Sequence, residues 1–433
     1  MIKTLSKPNI VSKKLSQRIH TTLLVMFAMV ALFCSKPIKA QRPIVFSSSI
    51  FTPQIHIEDT WNTLPILTLN GDKRIVLSFD DMNTEALRYI YKINHCDEHF
   101  NPTENLFESA YLQATSNELL VDNYEPSRNT VTPYNHYRLT LPNDDVKMLL
   151  SGNYVITVEQ ENEDGERKEV LKAFFMILDQ KININAQITT KTDIDFNNKH
   201  QQISVEINHA NINLHNPTDE LKCVVVKNRT WEDAVWLKKP TMQLMNHLKW
   251  EHNMDLVFKA GNEFRKFENL STETPSLHID AITWNVVTNQ YDVHLQADET
   301  RKNYLYNEDH NGAFVIRNTD NYNDDTESEY TNVHFRLNMP QLFQGEVYVD
   351  GSWATSAQRD IYRMNYDHEE QCYKANIWLK QGYYEYQYLC PNNEVEGDFY
   401  ETENEYLILV YAKHPSERYT KLVGMAQINS KNL

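Results

Sequence analysis

The sequence predicts an all-β protein of two to three immunoglobulin-like β-sandwich domains in tandem, after a signal peptide. Short runs rich in β-branched and aromatic residues recur along the chain, and Asn, Asp, Pro or Gly bounds most of them. No long amphipathic helix interrupts them, and residues 241–250 are at most a short helix. With 433 residues the chain is too long for one core, so several domains are expected.

The N-terminus has the pattern of a secretory signal. Five basic residues precede the uncharged run at 21–34, and the next residues end on the small Ala40. The run is too short to span a bilayer comfortably, and Phe33 stands before Cys34 where a lipoprotein signal would have a small residue. We therefore interpret residues 1–40 as a signal peptide and expect an exported, soluble protein.

Charge and hydropathy narrow the classes of partner. The chain has 42 basic and 59 acidic side chains, a net charge of −17. Removal of residues 1–40 leaves 35 basic against 59 acidic side chains, a net charge of −24. This acidity argues against nucleic acid as the main partner. After residue 41 no apolar run reaches membrane-spanning length and no regular barrel pattern is sustained, so direct membrane insertion is not expected either.

The first predicted domain covers residues 41–180. Asp164-Gly165 predicts a tight hairpin between its last two strands. Five or more strands within about 140 residues favour an immunoglobulin-like sandwich. The predicted strands of this domain lie at 74–81, 88–95, 136–141, 153–160 and 170–178.

Two further β-domains are predicted, over residues 181–298 and 299–433. The second of these resembles an early-set immunoglobulin fold. The predicted strands of the middle domain lie at 182–190, 202–210, 221–228 and 254–260. Those of the C-terminal domain lie at 313–318, 332–339, 345–353, 373–379, 383–389 and 406–412.

Residues 95–99, His-Cys-Asp-Glu-His, form the stretch most suggestive of chemistry. Side chains alternate along a strand, so His95 shares one face with Tyr91 while Cys96 points to the other. A zinc site normally has three or four protein ligands, but Cys96 and His99 have no matching second pair. The residues therefore favour a half-buried strand end whose polar groups bond neighbouring backbone, rather than a metal or nucleophile site.

Five short motifs mark the first domain: His-Cys-Asp at 95–97, Ser-Arg-Asn-Thr at 127–130, Tyr-Asn-His-Tyr at 134–137, Leu-Pro-Asn at 141–143 and Ser-Gly-Asn-Tyr at 151–154. Together they resemble the N-terminal region of the type IX secretion system plug protein family. The resemblance extends through residues 309–318, 330–339, 345–353 and 379–388. It does not include the less distinctive middle of the chain. Phe100 departs from the Trp expected after the first motif.

The resemblance implies a non-enzymatic component of that secretion system, which plugs the periplasmic end of the giant outer-membrane β-barrel translocon in the absence of cargo. The implied partner is the translocon, and the implied location is the periplasm, associated with the outer membrane through that partner. A monomer is expected. The sequence predicts no catalytic residue, no cofactor and no metal, since no G-x-S-x-G elbow, phosphate-binding loop or H-E-x-x-H motif occurs.

An aromatic stripe supports the alternative function, a periplasmic or surface glycan-binding β-sandwich protein. Tyr384, Tyr386 and Tyr388 share one face of a predicted strand and, with Trp353 and Trp378, could form a carbohydrate platform. Aromatic strand faces are more often sheet packing. Retention of the protein on immobilised glucans, lost in Tyr386→Ala, would favour glycan binding over sheet packing.

An acidic segment at 319–330 offers oxygen ligands for calcium, but it lacks the EF-hand pattern and favours a solvated acidic loop. Cys372 and Cys390 flank a predicted hairpin, and a three-residue loop centred on Gln381 would bring them opposite each other. Two- or four-residue loops would shift the pairing by one, so a disulfide here is a hypothesis. Asn129 and His136 are predicted to be structural, with side chains bonding local backbone.

Overall fold

Strands dominate the residues that the computed structural model describes, which are 44–116, 118–342, 344–354 and 356–431. Each α-helix among these residues is only four residues long, and the predicted all-β class is confirmed. Within this part of the chain no helix has the length and apolar character needed to cross a membrane. The predicted signal peptide, residues 1–40, lies outside the described residues.

The N-terminal strands form a sandwich. In chain order they are β1 (Ile44–Phe46), β2 (Phe51–Ile57), β3 (Ile66–Thr68), β4 (Ile75–Asp81), β5 (Arg88–Cys96), β6 (Leu112–Ala114), β7 (Leu119–Leu120), β8 (Tyr124–Pro126), β9 (Asn135–Leu141), β10 (Val146–Met148), β11 (Gly152–Glu161) and β12 (Arg167–Leu178), with helix α1 (Glu108–Tyr111) before β6. One sheet has the order β2-β4-β9-β8, and the other contains β12-β11-β5-β7. Both contribute to one core, where Phe79, Tyr89 and Tyr137 pack ring against ring.

The predicted β11–β12 hairpin is confirmed. β-branched and aromatic residues fill β11, and its first seven residues are buried on both faces of the sheet. The chain reverses at Asp164-Gly165, where Gly165 has φ +79°, a conformation that glycine adopts at little cost. Since the chain has only 10 glycines, other left-handed turn positions use asparagine, among them Asn62, Asn70, Asn105, Asn129, Asn197 and Asn228.

The middle strands build a second layered unit. They are β13 (Asn183–Thr189), β14 (His200–Asn208), β15 (Leu221–Lys227), β16 (Thr230–Trp236), β17 (Met242–Gln243), β18 (His247–Trp250) and β19 (Val257–Lys259), with helix α2 (Pro217–Glu220) and a 3₁₀ turn (Met254–Leu256). The sheet order is β13-β14-β18-β17, with β19 also on β14. Residues 241–250, where the sequence allowed at most a short helix, form strands β17 and β18, and Leu248 and Trp250 alternate into the core with the period of a strand.

The next strands form the third unit, in which two sheets enclose a third core. They are β20 (Arg265–Asn269), β21 (Ile279–Asn285), β22 (Gln290–Leu295), β23 (Asp298–Glu299), β24 (Phe314–Ile316), β25 (Tyr330–Asn338), β26 (Tyr348–Asp350), β27 (Asn365–Asp367), β28 (Cys372–Lys380) and β29 (Gly382–Leu389), with helix α3 (Asp324–Glu327) and 3₁₀ turns at Ser356–Tyr362 and Pro391–Asn393. β20-β29-β24, with β26 on β29, make the first sheet, and β21-β22-β25-β28-β27, with β23 on β25, make the second. Phe267, Phe335 and Tyr386 pack between them.

The last two strands, β30 (Glu405–Ala412) and β31 (Lys421–Asn429), return to the middle of the molecule. They complete a ten-stranded sheet, here named the long sheet, with the order β16-β15-β30-β31-β12-β11-β5-β7 and with β1 and β3 on β12. Its two halves meet at one parallel pair, Leu178 with Leu422. The C-terminal end of the chain thus shares a sheet with residues 221–236. The division at 41–180, 181–298 and 299–433 and the immunoglobulin-like subtype stay predictions.

Candidate functional site: two junctions around the N-terminal sandwich

The N-terminal sandwich meets the rest of the chain at two junctions of opposite character. The apolar junction is the face of the long sheet that points away from the N-terminal core, and its buried members are Cys96, Phe100, Val155, Phe174, Met176, Leu178, Val224, Val226, Leu407, Leu409, Tyr411 and Leu422. The ionic junction joins β4 and β9 to the region of β25 and β28, and its buried or half-buried members are Asp80, Tyr134, His136, Glu329, Tyr330 and Lys380.

The segment at 95–99 lies at the apolar junction. The predicted alternation is confirmed, because Tyr91 belongs to the N-terminal core and Cys96 to the opposite face. His95 contacts Thr103 Oγ1 at 2.9 Å and the carbonyl oxygen of Ser151 at 3.2 Å. Burial lowers the pKa of His95 to about 4 and raises the pKa of the Cys96 thiol to about 12. A neutral imidazole and a protonated thiol in these positions serve packing rather than nucleophilic chemistry.

The remaining polar groups of this segment tie down the turn and the neighbouring strands. Asp97 Oδ1 accepts the backbone N–H groups of His99 and Asn101, both at 2.9 Å, as the predicted strand-end interpretation requires. Glu98 reaches further, because its carboxylate pairs with Lys222 of β15 and accepts the Thr420 hydroxyl at 2.8 Å. The segment therefore connects the N-terminal sandwich to β15 and to the loop before β31.

Ser-Gly-Asn-Tyr at 151–154 meets the His-Cys-Asp motif directly. Gly152 has φ +138°, and a Cβ there would lie 2.4 Å from His95 Nε2 and 2.8 Å from the Thr420 carbonyl oxygen. Asn153 donates to the Asp97 carbonyl at 2.9 Å and accepts the Tyr411 hydroxyl at 3.1 Å. Glycine is required at 152 because the imidazole and the backbone of the β31 side both approach it.

A buried ion pair forms the centre of the ionic junction. Lys380 Nζ lies 2.6 Å from Asp80 Oδ2, and the two side chains are 1% and 0% exposed. The ammonium also donates to the Asp325 carbonyl at 2.6 Å and lies 4.1 Å from the centre of the Tyr134 ring. The Tyr330 hydroxyl donates to Asp80 Oδ2 at 2.7 Å. These contacts hold the Lys380 ammonium between β4, Tyr134 and helix α3.

His136 completes the environment of Asp80. Its Nδ1 lies 2.6 Å from Asp80 Oδ1, and its Nε2 faces Asp325 Oδ2 at 3.8 Å. Burial alone would raise the pKa of Asp80, but the Lys380 charge and the His136 hydrogen bond outweigh burial and hold that pKa below its usual value. The carboxylate is therefore ionised at neutral pH, as the pairing requires.

Residues 127–134 dock on helix α3 and the strand that follows it. Asn129 Nδ2 donates to Glu327 Oε1 at 2.9 Å, and the Arg128 N–H donates to the Thr326 carbonyl at 2.9 Å. The Glu329 carboxylate accepts the backbone N–H groups of Val131 and Thr132. The Ser-Arg-Asn-Thr motif thus contacts a part of the chain about two hundred residues later in the sequence.

The prediction that Asn129 and His136 bond local backbone is wrong. Asn129 does occupy a left-handed turn with φ +56°, but its side chain bonds a carboxylate across the junction. His136 bonds the buried Asp80 of the neighbouring strand β4. Sequence reasoning also missed Glu329, Tyr330 and Lys380. By strand alternation Lys380 falls on the same face of β28 as Lys374 and Asn376, so no local pattern indicated that its ammonium is buried.

Four of the five residues of the glycan-platform hypothesis, Tyr384, Tyr386, Tyr388 and Trp353, are buried in the core of the third unit. The fifth, Trp378, is half-buried, and its ring packs against Phe51 and Tyr330. The hydroxyls of Tyr386 and Tyr388 both donate to Asp298 Oδ2 at 2.7 Å. The proposed platform is therefore wrong for these tyrosines, because no sugar can reach them.

The predicted hairpin between Cys372 and Cys390 is also wrong. β28 and β29 follow each other in sequence but belong to different sheets, so the chain turns a corner at Gln381. Both cysteines are free thiols, as are Cys96 and Cys223. In the acidic segment 319–330, Asp324 and Glu327 accept backbone N–H groups around α3, so these carboxylates serve the local fold.

A second buried acidic group lies between the loop at 309–312 and β29. Glu385 accepts the N–H groups of His310 and Gly312 and the hydroxyl of Tyr383. Asp309 accepts the backbone N–H groups of Phe264 and Asn311. Burial and the nearby acidic charge of Glu385 raise the pKa of Asp309 to about 8. These carboxyl groups hold the loop to the sheet.

Fold and junctions together define the class of this molecule: a multi-sheet β protein whose motif residues join its parts to one another. The family model described as "Type 9 secretion system plug protein 1st domain" matches residues 50–179. The chain belongs to the type IX secretion system plug protein family. All five N-terminal motifs lie within the matched residues, and four of them contact the junctions described above.

A solved structure supports the same architecture over most of the chain. It is the crystal structure of a hypothetical protein from Parabacteroides merdae ATCC 43184, whose sequence is 32% identical to this chain. The superposition covers 90% of this chain and 100% of the other protein, with a TM-score of 0.84. An E. coli alpha-2-macroglobulin structure is 8% identical over 90% of this chain and 23% of its own, and its TM-score of 0.16 is too low to indicate a shared fold. No curated protein matches the chain.

Proposed function

We propose that this protein closes the periplasmic end of the outer-membrane β-barrel translocon of the type IX secretion system when no cargo is passing, without catalysing a reaction. The observation that carries the proposal is the family match at residues 50–179. A barrel wide enough for folded cargo has a water-filled lumen, and an unblocked lumen leaks. The partner is therefore the translocon, and the location is the periplasmic side of the outer membrane.

The junctions support a plug that acts as one body. A plug made of loosely linked domains would leave gaps as the domains moved, because small interdomain interfaces permit relative motion. Here the long sheet runs from the N-terminal sandwich to the C-terminal strands, and the Asp80–Lys380 pair connects the same sandwich to the third unit. The body is thus braced on two sides.

Charge supports a reversible association. With a net charge of −24 after the predicted signal segment, the protein would meet basic groups at the barrel rim, and association should be faster at low salt. A specific interface of this kind needs roughly 1,000 Å² or more of buried surface. It must still be weak enough for cargo or an energised component to displace it.

An electrical measurement tests the proposal. The translocon is reconstituted in a planar bilayer, and the purified protein is added to the periplasmic side. The open-barrel current should fall in a saturable manner, with a half-effect concentration that rises with salt. Addition to the opposite side is the control and should leave the current unchanged. If the current persists at saturating protein, the plug function is excluded.

A further inference from the structure

Two histidines and a glutamate that the sequence keeps far apart converge on the middle unit. They are His215 just before helix α2, Glu220 at its end, and His414 in the loop between β30 and β31. One donor atom from each lies within 4.8 Å of the others, and His215 Nδ1 is 3.1 Å from His414 Nε2. None of the three contributes to the two junctions or to the five motifs.

The fold fixes Glu220 and His414 beside each other. β15 pairs with β30 so that Leu221 lies opposite Ala412, and the Lys413 N–H donates to the Glu220 carbonyl at 3.0 Å. His414 is therefore the second residue after the end of β30, directly after Lys413. Its Nδ1 lies 2.6 Å from Ser416 Oγ, which orients the ring and leaves Nε2 directed at His215.

The Glu220 carboxylate has one oxygen occupied and one without a partner. Oε1 accepts the N–H groups of His215 at 3.0 Å and Asn216 at 2.7 Å. Oε2 is buried and has no hydrogen-bond partner among the described residues, while the whole residue is only 4% exposed. An unpaired buried carboxylate oxygen is costly, and a cation beside it would remove that cost.

We propose that His215, Glu220 and His414 form a binding site for a divalent transition-metal ion of the Zn²⁺ class. Two imidazole nitrogens and one carboxylate oxygen are a ligand set that zinc favours. Tetrahedral bonds of about 2.0–2.1 Å to nitrogen separate two ligand nitrogens by about 3.3 Å, close to the observed 3.1 Å. The carboxylate oxygen has to approach by a side-chain rotation.

The fourth coordination position of the proposed site faces solvent. His215 is exposed and His414 half-exposed, so water or a ligand from outside completes the tetrahedron. The ion would also fasten the 413–420 loop to the start of β15. Thr420 of this loop and Lys222 of β15 both contact Glu98, so the metal would support the apolar junction from its far end.

Titration with Zn²⁺ alone tests the site. The protein is prepared without a histidine tag, stripped with chelator and titrated by calorimetry, and Co²⁺ absorption spectra report the coordination. We expect one ion per chain at pH 7.5 and a higher melting temperature with Zn²⁺ present, because a ligand that binds only the native state stabilises it. Zn²⁺ binding should weaken at acidic pH, because protons compete with the metal ion for its ligands.

Matched variants separate a built site from surface binding. His215→Ala and His414→Ala should each weaken Zn²⁺ binding at least tenfold, and Glu220→Gln, which keeps an oxygen for the N–H groups of His215 and Asn216, should do the same. The control is His252→Ala, which removes an exposed histidine that pairs with Asp193 at 3.0 Å outside the cluster. It should leave binding unchanged. Absence of one-to-one binding, or equal binding in wild type and His414→Ala, would overturn the proposal.

Discussion

The two junctions hold the same sandwich by different physics. The apolar junction buries aliphatic and aromatic side chains on a continuous sheet. Its stabilisation is therefore proportional to the buried apolar area and changes little when side chains shift slightly. In the ionic junction, Asp80 Oδ2 lies 2.6 Å from Lys380 Nζ and 2.7 Å from the Tyr330 hydroxyl. Such a buried ion pair is favourable only when these atoms keep this geometry. The apolar junction therefore supplies most of the stabilisation, and the ionic junction fixes the position of the third unit.

The largest expected effect comes from removing the cation of the ionic junction. Lys380→Met leaves the Asp80 carboxylate buried without its counter-charge, and we expect a loss of about 3–5 kcal/mol in the free energy of unfolding. Denaturant unfolding measures it. Lys92→Met is the matched control, because Lys92 pairs with Glu159 at 2.8 Å but is 54% exposed. The control should cost no more than about 1 kcal/mol. Equal losses in both variants would refute the special role of the buried pair.

The next largest loss in the free energy of unfolding is expected from a cavity in the apolar junction. Leu409 is fully buried on the junction face of β30, and Leu409→Ala should cost about 2–5 kcal/mol, because the sheet cannot collapse into the space. The loss in Lys380→Met should shrink at acidic pH, because protonation removes the uncompensated charge of Asp80, whereas the loss in Leu409→Ala should not depend on pH. Denaturant unfolding of both variants and of the wild type at two pH values checks the contrast, and an equal pH dependence of the two losses would erase it.

The pH dependence of His95 gives a smaller effect at the apolar junction. Its folded-state pKa of about 4 lies below the ordinary value of 6.5, so between these values the unfolded state binds more protons. Stability should therefore fall as pH drops from about 6.5 to about 4, by up to about 1.4 kcal/mol per pH unit from this group. NMR titration of the imidazole should show His95 still neutral at pH 5. A midpoint near 6.5 would contradict the buried, neutral assignment.

The smallest effect is expected at the edge of the ionic junction. Asn129→Ala removes the hydrogen bond to Glu327 and places alanine, which adopts the left-handed conformation less readily than asparagine, in this turn. We expect the free energy of unfolding to fall by about 1 kcal/mol. Melting temperature checks this loss. Asn129→Gly removes the same bond while restoring backbone freedom and should recover part of it. No difference between the two variants would show that the turn conformation contributes nothing.

Local patterns made most strands predictable, whereas the junctions depend on contacts that no local pattern records. The β11–β12 hairpin followed from Asp164-Gly165 between two β-rich runs. The Asp80–Lys380 pair joins residues 300 positions apart, and one sequence carries no sign of that pairing. β28 and β29 have the alternation of a hairpin, but Gln381 begins a corner between two sheets, which local spacing cannot distinguish. The Glu220 cluster was missed for the same reason, since His414 reaches it only through the β15–β30 pairing.

Planar-bilayer recordings with variants of the ionic junction test the plug function and the role of that junction together. Translocon current in a planar bilayer is recorded with wild-type protein, Lys92→Met and Lys380→Met, at a temperature where all three are folded by circular dichroism. If a braced body seals the barrel, the wild type and Lys92→Met should abolish the current, and Lys380→Met should leave a residual or fluctuating current at saturation. An unchanged current with wild-type protein would contradict the plug function, and complete closure by Lys380→Met would contradict the role of the junction.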